Sequence, residues 1–340
     1  MQTFACAAFL RFLFLDFLMV GLYNKTTFQQ KGDTVMEKLA YFFIDDVIWC
    51  LRDLTRQRPT SVFDNAFFKM LKHAHDDHGL TVQLNLFYRT DFFYGSDEFT
   101  LAQMTDAYKA EFEANADWLR FAFHAKQEFP DYPYVNATYE DVKADYEAIY
   151  NEVLRFAGEG SWSAAVIPHW MPISKAGCKA LADCGVKFMA TSVGDRCEFN
   201  GDDNSLLYGM AARLRQNRQP ETGLQGSNPE RAYALVAYNH LTDEQYNQIE
   251  WRNASILDKE TGMHFRQLGR GPLVNANTQE KIRERLAELN GSEFIGTGNH
   301  EQYFYKDFYR YIPDIAERIY VLAETLHEYG YRFITTDEMR

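Results

Sequence analysis

The stretch Tyr41–Trp49, YFFIDDVIW, decides how the chain is read. Its apolar start, lengthened upstream to LAYFFI (Leu39–Ile44), has the make-up of a fully buried strand, and such strands belong to parallel sheets covered on both faces. Two adjacent carboxylates, Asp45 and Asp46, then end the run before apolar residues resume. Charges are rarely buried without a partner, so the pair marks the end of the strand and a candidate site.

Working outward, apolar runs alternate with amphipathic segments. The pattern predicts a helix over Ser61–Gly79, a strand over Leu80–Tyr88, a helix over Thr100–Asn115 and a strand over Asp117–His124. It continues with a helix over Thr138–Gly158, a strand over Ser163–Trp170, a short helix at KAGCKALADCG and a strand over Val186–Gly194. From Cys197 to about Asn277 the rhythm breaks into a segment rich in Asn, Gln, Gly and Arg with short strand-like pieces, which reads as an insertion with β character. A helix (Thr278–Asn290), a strand (Glu293–His300), a long helix (Asp307–Tyr329) and a last strand (Tyr331–Thr336) complete seven strand-helix steps. Alternation of this kind implies a (β/α) barrel or a doubly wound sheet. The expected domain spans 36–340, preceded by a hydrophobic extension over 1–35.

That extension contains Phe4–Leu22, long enough for a membrane span but carrying Arg11 and Asp16, each costing about 2.5–3.5 kcal/mol at a bilayer centre. Translation from Met36 is the plainer expectation, with export or membrane attachment through residues 4–22 as the alternative. The five cysteines form no CxxC pair and are odd in number, which fits a reducing, cytoplasmic setting. A net charge of −13 and the lack of a basic stripe argue against nucleic acid as a partner. Aromatic residues reach 16% of the chain, and they line sugar-binding clefts as well as cores.

In a parallel barrel, chemistry gathers where strands end. Here those ends carry Asp45 and Asp46, His124, His169 and, after the sixth strand, His300 and Glu301; the second strand leads into Arg89 and the fifth into Asp195 and Arg196. Asp45 and Asp46 suit a division of labour, one binding a metal and one acting as a base beside it. His124 and Glu128 stand four residues apart and would offer nitrogen and oxygen to one divalent ion if the segment turned like a helix. His169, with Trp170 between two prolines, could face a sugar ring or pack as an ordinary core histidine. His300 follows Gly296 and Gly298, which allow close backbone approach, and is a candidate general acid. Arg89, His169, Trp170 and Tyr303 are the candidate substrate contacts, and Tyr132, Tyr134 and Tyr305 are further rings for stacking on sugar. The cluster HAHDDH, with His73, His75 and His78, is expected to be a decoy, because it closes a helix on the opposite rim, where His complements the helix dipole. His240 and His264 fall in the insertion, and His327 inside the last helix reads as structural. P-loop, GxGxxG, HExxH and nucleophile-elbow patterns are missing from the sequence.

These motifs resemble the polysaccharide deacetylase superfamily (NodB homology, carbohydrate esterase family 4). FIDD is similar to its first motif, HAKQE (His124–Glu128) to its His-(Ser/Thr)-x-x-His motif, and GNH, ending at His300, to its late Leu-x-His motif. The strings YNHL and HEQYFY mark a divergent branch. The resemblance runs from about Leu39 to Thr336 and implies a distorted (β/α)7 barrel of the glycoside hydrolase and deacetylase type, with the insertion at about 197–277 after strand five. It further implies a divalent metal, most simply zinc, held by Asp46, His124 and Glu128, with Asp45 as catalytic base and His300 as general acid. A carbohydrate or similar small molecule would lose its acyl group. The chain departs from the family pattern in having Val47 where Gly follows Asp-Asp, Glu128 where the second metal His stands, and Val166 where an Arg precedes the third-motif Pro. Two rival expectations follow: a catalytically silent carbohydrate-binding barrel, and a glycosidase using Asp45 and Glu301.

Overall fold

The structure is a computed structural model that describes residues 37–90, 98–129, 133–134, 137–170, 173–191, 255–267 and 271–339. The described residues all belong to one compact unit, Glu37–Arg340. The expectations for the 1–35 extension, Tyr132, Asp195, Arg196 and His240 lie outside the described residues. Among the described residues, no helix is long and apolar enough to cross a membrane.

Strand β1 (Lys38–Val47) pairs in parallel with β2 (Val82–Phe87) and β8 (Phe294–His300), and β2 pairs with β3 (Leu119–Ala125). The short β9 (Tyr331–Phe333) lies against the first residues of β1. A second sheet runs β4 (Ala165–Val166), β5 (Phe188–Thr191), β7 (His264–Gln267) and β6 (Ser255–Leu257), parallel throughout except for β6. Single parallel bridges join the sheets on both sides, Phe121 to Trp162 and Leu273 to Gly298, supported by Ser163 N–H donating to Phe121 O at 2.8 Å and Gly271 N–H to Gly296 O at 3.0 Å. The parallel strands thus make two sheets linked by these bridges, a mixed α/β arrangement consistent with a (β/α) barrel. His264–Gln267, assigned to the insertion on its sequence, is one of the second sheet's strands. Its β character was legible, but its parallel partner β5 lies far off in sequence.

Alternation along β1 sorts its side chains onto two faces. Tyr41 and Phe43 join Ala165, Ile167, Phe188, Ala190, Phe294 and Ile334 in an inner core. Ala40, Phe42 and Ile44 belong to the larger core that includes the helices. Gly298 on β8 is required by this packing, because a Cβ there would lie 2.4 Å from the Phe43 ring.

Helices α1 (Trp49–Gln57), α2 (Ala66–His78), α3 (Lys109–Ala114), α4 (Tyr139–Phe156), α5 (Lys175–Asp183), α6 (Gln279–Leu289) and α7 (Ile315–Glu328) complete the described part. Local cap chemistry sets several starts: Asn65 caps α2, Thr138 forms a capping box with Asp141 on α4, and Ser174 and Thr278 cap α5 and α6. Other expectations shift. Ser61 caps only a 3-10 turn, Val62–Asp64, ahead of α2. The helix expected over Thr100–Asn115 is split into a 3-10 turn, Leu101–Gln103, and α3, with the Thr105 hydroxyl accepting from Ala107 N–H between them. Helix α1 was not anticipated, since its N-cap Ile48 supplies no side-chain cap.

Gly298→Ala should lower stability by about 1–3 kcal/mol through overpacking against Phe43. Urea unfolding measures this, and a wild-type midpoint would show that the ring yields without cost.

Candidate metal centre

Asp45 sits on the inward face with Tyr41 and Phe43. Regular alternation would send Asp46 to the opposite side. Instead Asp46 has φ +64°, and the β1–β2 register slips between Ile44 and Val47. This bulge turns both carboxylates toward one histidine: His124 Nδ1 is 3.9 Å from Asp45 Oδ1, and His124 Nε2 is 3.1 Å from Asp46 Oδ1. A left-handed residue other than Gly costs roughly 1–2 kcal/mol, and Asp is among the side chains that tolerate it best. Val47 resumes pairing opposite Leu86 and is fully buried.

Three donor atoms converge. Asp46 Oδ1 lies 3.1 Å from His124 Nε2 and 3.2 Å from His169 Nδ1, and the two nitrogens are 3.1 Å apart. Asp46, His124 and His169 are all buried and form the one group among the described residues with metal-ligand geometry. The remaining nitrogen of each ring faces a backbone carbonyl, His124 Nδ1 at 2.6 Å from Ile167 O and His169 Nε2 at 3.0 Å from Glu128 O. Those carbonyls can accept N–H bonds, and in the tautomers that make both bonds His124 Nε2 and His169 Nδ1 would turn lone pairs toward a bound cation. Three donors at about 2.1 Å from one ion stand roughly 3.0 Å apart at right angles and roughly 3.4 Å apart in a tetrahedron. The observed triangle lies within that range, so the residues fit a divalent cation.

The electrostatics point the same way. Burial opposes charge on Asp46, yet hydrogen bonds from His124 and His169 outweigh it and hold the carboxyl well below the usual range. Burial likewise opposes charge on His124, but Asp45 and Asp46 raise its pKa overall. His169 is pushed down, chiefly by burial. A bound cation would offset the buried negative charge of Asp46.

Asp45 stays outside the triangle. Burial raises its pKa, against the pull of His124 and His300. Its Oδ1 accepts from Asn85 Nδ2 at 2.6 Å, Asn85 Oδ1 from Gln83 Nε2 at 2.7 Å, and Gln83 Oε1 from the Ser163 hydroxyl at 2.7 Å, which in turn bonds Thr336. This buried polar column through the barrel holds the carboxylate in place. His300, opposite Asp45 in the β1–β8 register, has Nδ1 3.2 Å from Asn275 Oδ1. This contact engages Nδ1 and not Nε2.

The remaining candidates scatter. The ligand set expected from the sequence was Asp46, His124 and Glu128; the donors that meet are those of Asp46, His124 and His169. The Glu128 side chain is buried close by, Oε1 4.0 Å from His169 Nε2 and Oε2 3.3 Å from Gln302 Nε2. The loop after β3 does not continue as a helix, so the four-residue spacing does not bring both side chains to one ion. Arg89 bonds Gln127 and lines a separate cavity of ≈ 340 Å³ with Lys126 and Tyr134. Tyr134 is buried, its hydroxyl bonded to Lys126 N–H and Asp145, and Tyr305 packs edge-on against Trp49. Trp170 is exposed beside His169, and Tyr303 stands edge-on to His300. In HAHDDH, His75 stacks on Trp118 while His73 and His78 pack against Tyr320.

Glu301 has another role. Its Oε2 accepts from Ile48 N–H at 2.7 Å and Trp49 N–H at 2.8 Å, and its Oε1 from Cys50 N–H at 2.7 Å. A carboxylate from the end of β8 thus caps α1, supplying what Ile48 lacks. Both oxygens are committed, which removes Glu301 as the second carboxylate of a glycosidase. Asn85, Asn275 and Gln302 were not anticipated. The alternation of Gln83 and Asn85 in the otherwise apolar LTVQLNLFY was a legible sign of an inward polar face.

No protein-family model matches the chain, and no curated protein matches it. Among solved structures, the chain is similar to a deacetylase solved with substrate (9% identity, 90% of this chain and 92% of the other, TM-score 0.40). It is also similar to a family 4 acetyl xylan esterase from Clostridium thermocellum solved with a cobalt ion (11%, 88% and 89%, 0.38). A third is a 4-alpha-glucanotransferase from Thermococcus litoralis (9%, 89% and 40%, 0.49). Carbohydrate deacetylases and esterases are thus among its structural neighbours.

His169→Ala should weaken Zn2+ binding by roughly 100-fold or more, while Glu128→Ala should stay within about tenfold of wild type. Calorimetric titration of the purified variants separates the two, and the reverse order would contradict the triangle described.

Proposed function

We propose that the protein is a metal-dependent hydrolase that removes acyl groups, most simply acetyl, from a carbohydrate amide or ester. The observation that carries this reading is the buried Asp46–His124–His169 triangle with the carboxylate of Asp45 held beside it. A mixed nitrogen and oxygen donor set suits zinc among the divalent ions. Once bound, such an ion polarises an acyl oxygen and makes water a nucleophile near neutral pH.

The chain's own residues supply the rest. Asp45, fixed by Asn85, accepts the proton of the attacking water; burial raises its pKa and so makes it the stronger base. His300, held through Nδ1 beside Asn275, would act as the imidazolium and give its Nε2 proton to the leaving amine or alkoxide. Trp170, exposed next to His169, offers a face for a sugar ring. Asp46 serves as ligand rather than base, because one of its oxygens faces two imidazoles and the other accepts from Gln302.

The test is acetate release from N-acetylated chito-oligosaccharides and from acetylated xylan by Zn2+-loaded protein. Asp45→Asn should cut turnover by roughly 10²–10⁴-fold with an unchanged circular dichroism spectrum. Wild-type turnover in that variant would overturn the assignment of Asp45. Sugar binding without turnover in the loaded wild type would favour a silent carbohydrate-binding barrel.

A further inference from the structure

Gln302 follows the last rim histidine by two residues and is buried. Its amide nitrogen donates to Asp46 Oδ2 at 2.7 Å and approaches Glu128 Oε2 at 3.3 Å. These two acceptors settle the orientation of the amide, since the reversed group would set its oxygen against two carboxylate oxygens with no proton between them. Gln302 Oε1 is then left buried without a hydrogen-bond partner among the described residues. By amide dimensions it lies within about 5 Å of Asp46 Oδ2. A buried carbonyl oxygen left unpaired costs about 1–3 kcal/mol, so its retention beside the donor triangle calls for a partner that arrives with a ligand.

We propose that Gln302 reserves the cation's remaining positions for an exogenous acyl ligand. Its NH2 group holds back the second oxygen of Asp46 and the carboxylate of Glu128, and its Oε1 receives an N–H or O–H of the incoming molecule. This rests on the metal-binding reading above. Without the clamp, Asp46 would be able to offer both oxygens and Glu128 to approach, filling with protein oxygen the positions a substrate needs. The ligand class is an acyl group carrying a donor next to its carbonyl, as a secondary amide or a hydroxamic acid does.

This assignment differs in sign from ordinary support of a metal ligand, whose removal lowers metal affinity by roughly 10–100-fold. The experiment uses the full chain and two probes, Zn2+ alone and then acetohydroxamate added to the Zn2+-loaded protein, both read by calorimetry. Gln302→Leu should bind Zn2+ at least as tightly as wild type and acetohydroxamate roughly tenfold more weakly. Gln302→Glu, which keeps the size and an acceptor oxygen but replaces the NH2 group with a third carboxylate, should show the same pair of changes and serves if the leucine variant does not fold. A fall in Zn2+ affinity, or unchanged acetohydroxamate binding, overturns this inference alone. Wild-type protein that takes up no Zn2+ overturns it together with the functional reading.

Discussion

The left-handed backbone at Asp46 is the constraint on which the site depends. A regular strand would leave Asp45 inside the barrel and Asp46 among the helices, two buried charges without common partners. Breaking the alternation at one residue lets Asp46 meet His124 from β3, His169 from the segment after β4 and Gln302 from the turn after β8. One side chain thereby ties together strands far apart in sequence. The local backbone cost is small beside that of leaving any of these buried groups unpaired.

The same logic of paired burial runs through the barrel. The column from Thr336 through Ser163, Gln83 and Asn85 to Asp45 gives each polar group a partner in a low-dielectric interior, where a missing bond is costly. Glu301 does comparable work at the rim, since three amides at the start of α1 would otherwise lack acceptors. The end of β8 thus contributes three consecutive residues with separate contacts: His300 meets Asn275, Glu301 closes a helix, and Gln302 bonds Asp46.

Much of this was legible in the sequence where the cause is local. A buried strand ending in two carboxylates and the alternation of strands and helices pointed to the parallel α/β fold. Capping residues such as Thr138 and Asn65 act within one turn of chain, and their helices were foreseen. Helix α1 was not, because its cap is a glutamate some 250 residues away. For the same reason His169 could be read only as a loop histidine, and Glu128 looked like a ligand through a helical spacing that the loop after β3 does not adopt. The parallel pairing of β7 with β5 bridges a long stretch of intervening sequence, so it too escaped a reading by local pattern.

The central claim is that Asp46, His124 and His169 hold one divalent cation. Anomalous diffraction at the zinc edge from crystals of Zn2+-loaded protein tests it most directly. The account predicts a single strong peak about 2.0–2.2 Å from Asp46 Oδ1, His124 Nε2 and His169 Nδ1, with Glu128 outside the coordination sphere. A peak coordinated by Glu128 in place of His169, or no peak at these atoms in protein that retains its fold, would contradict it.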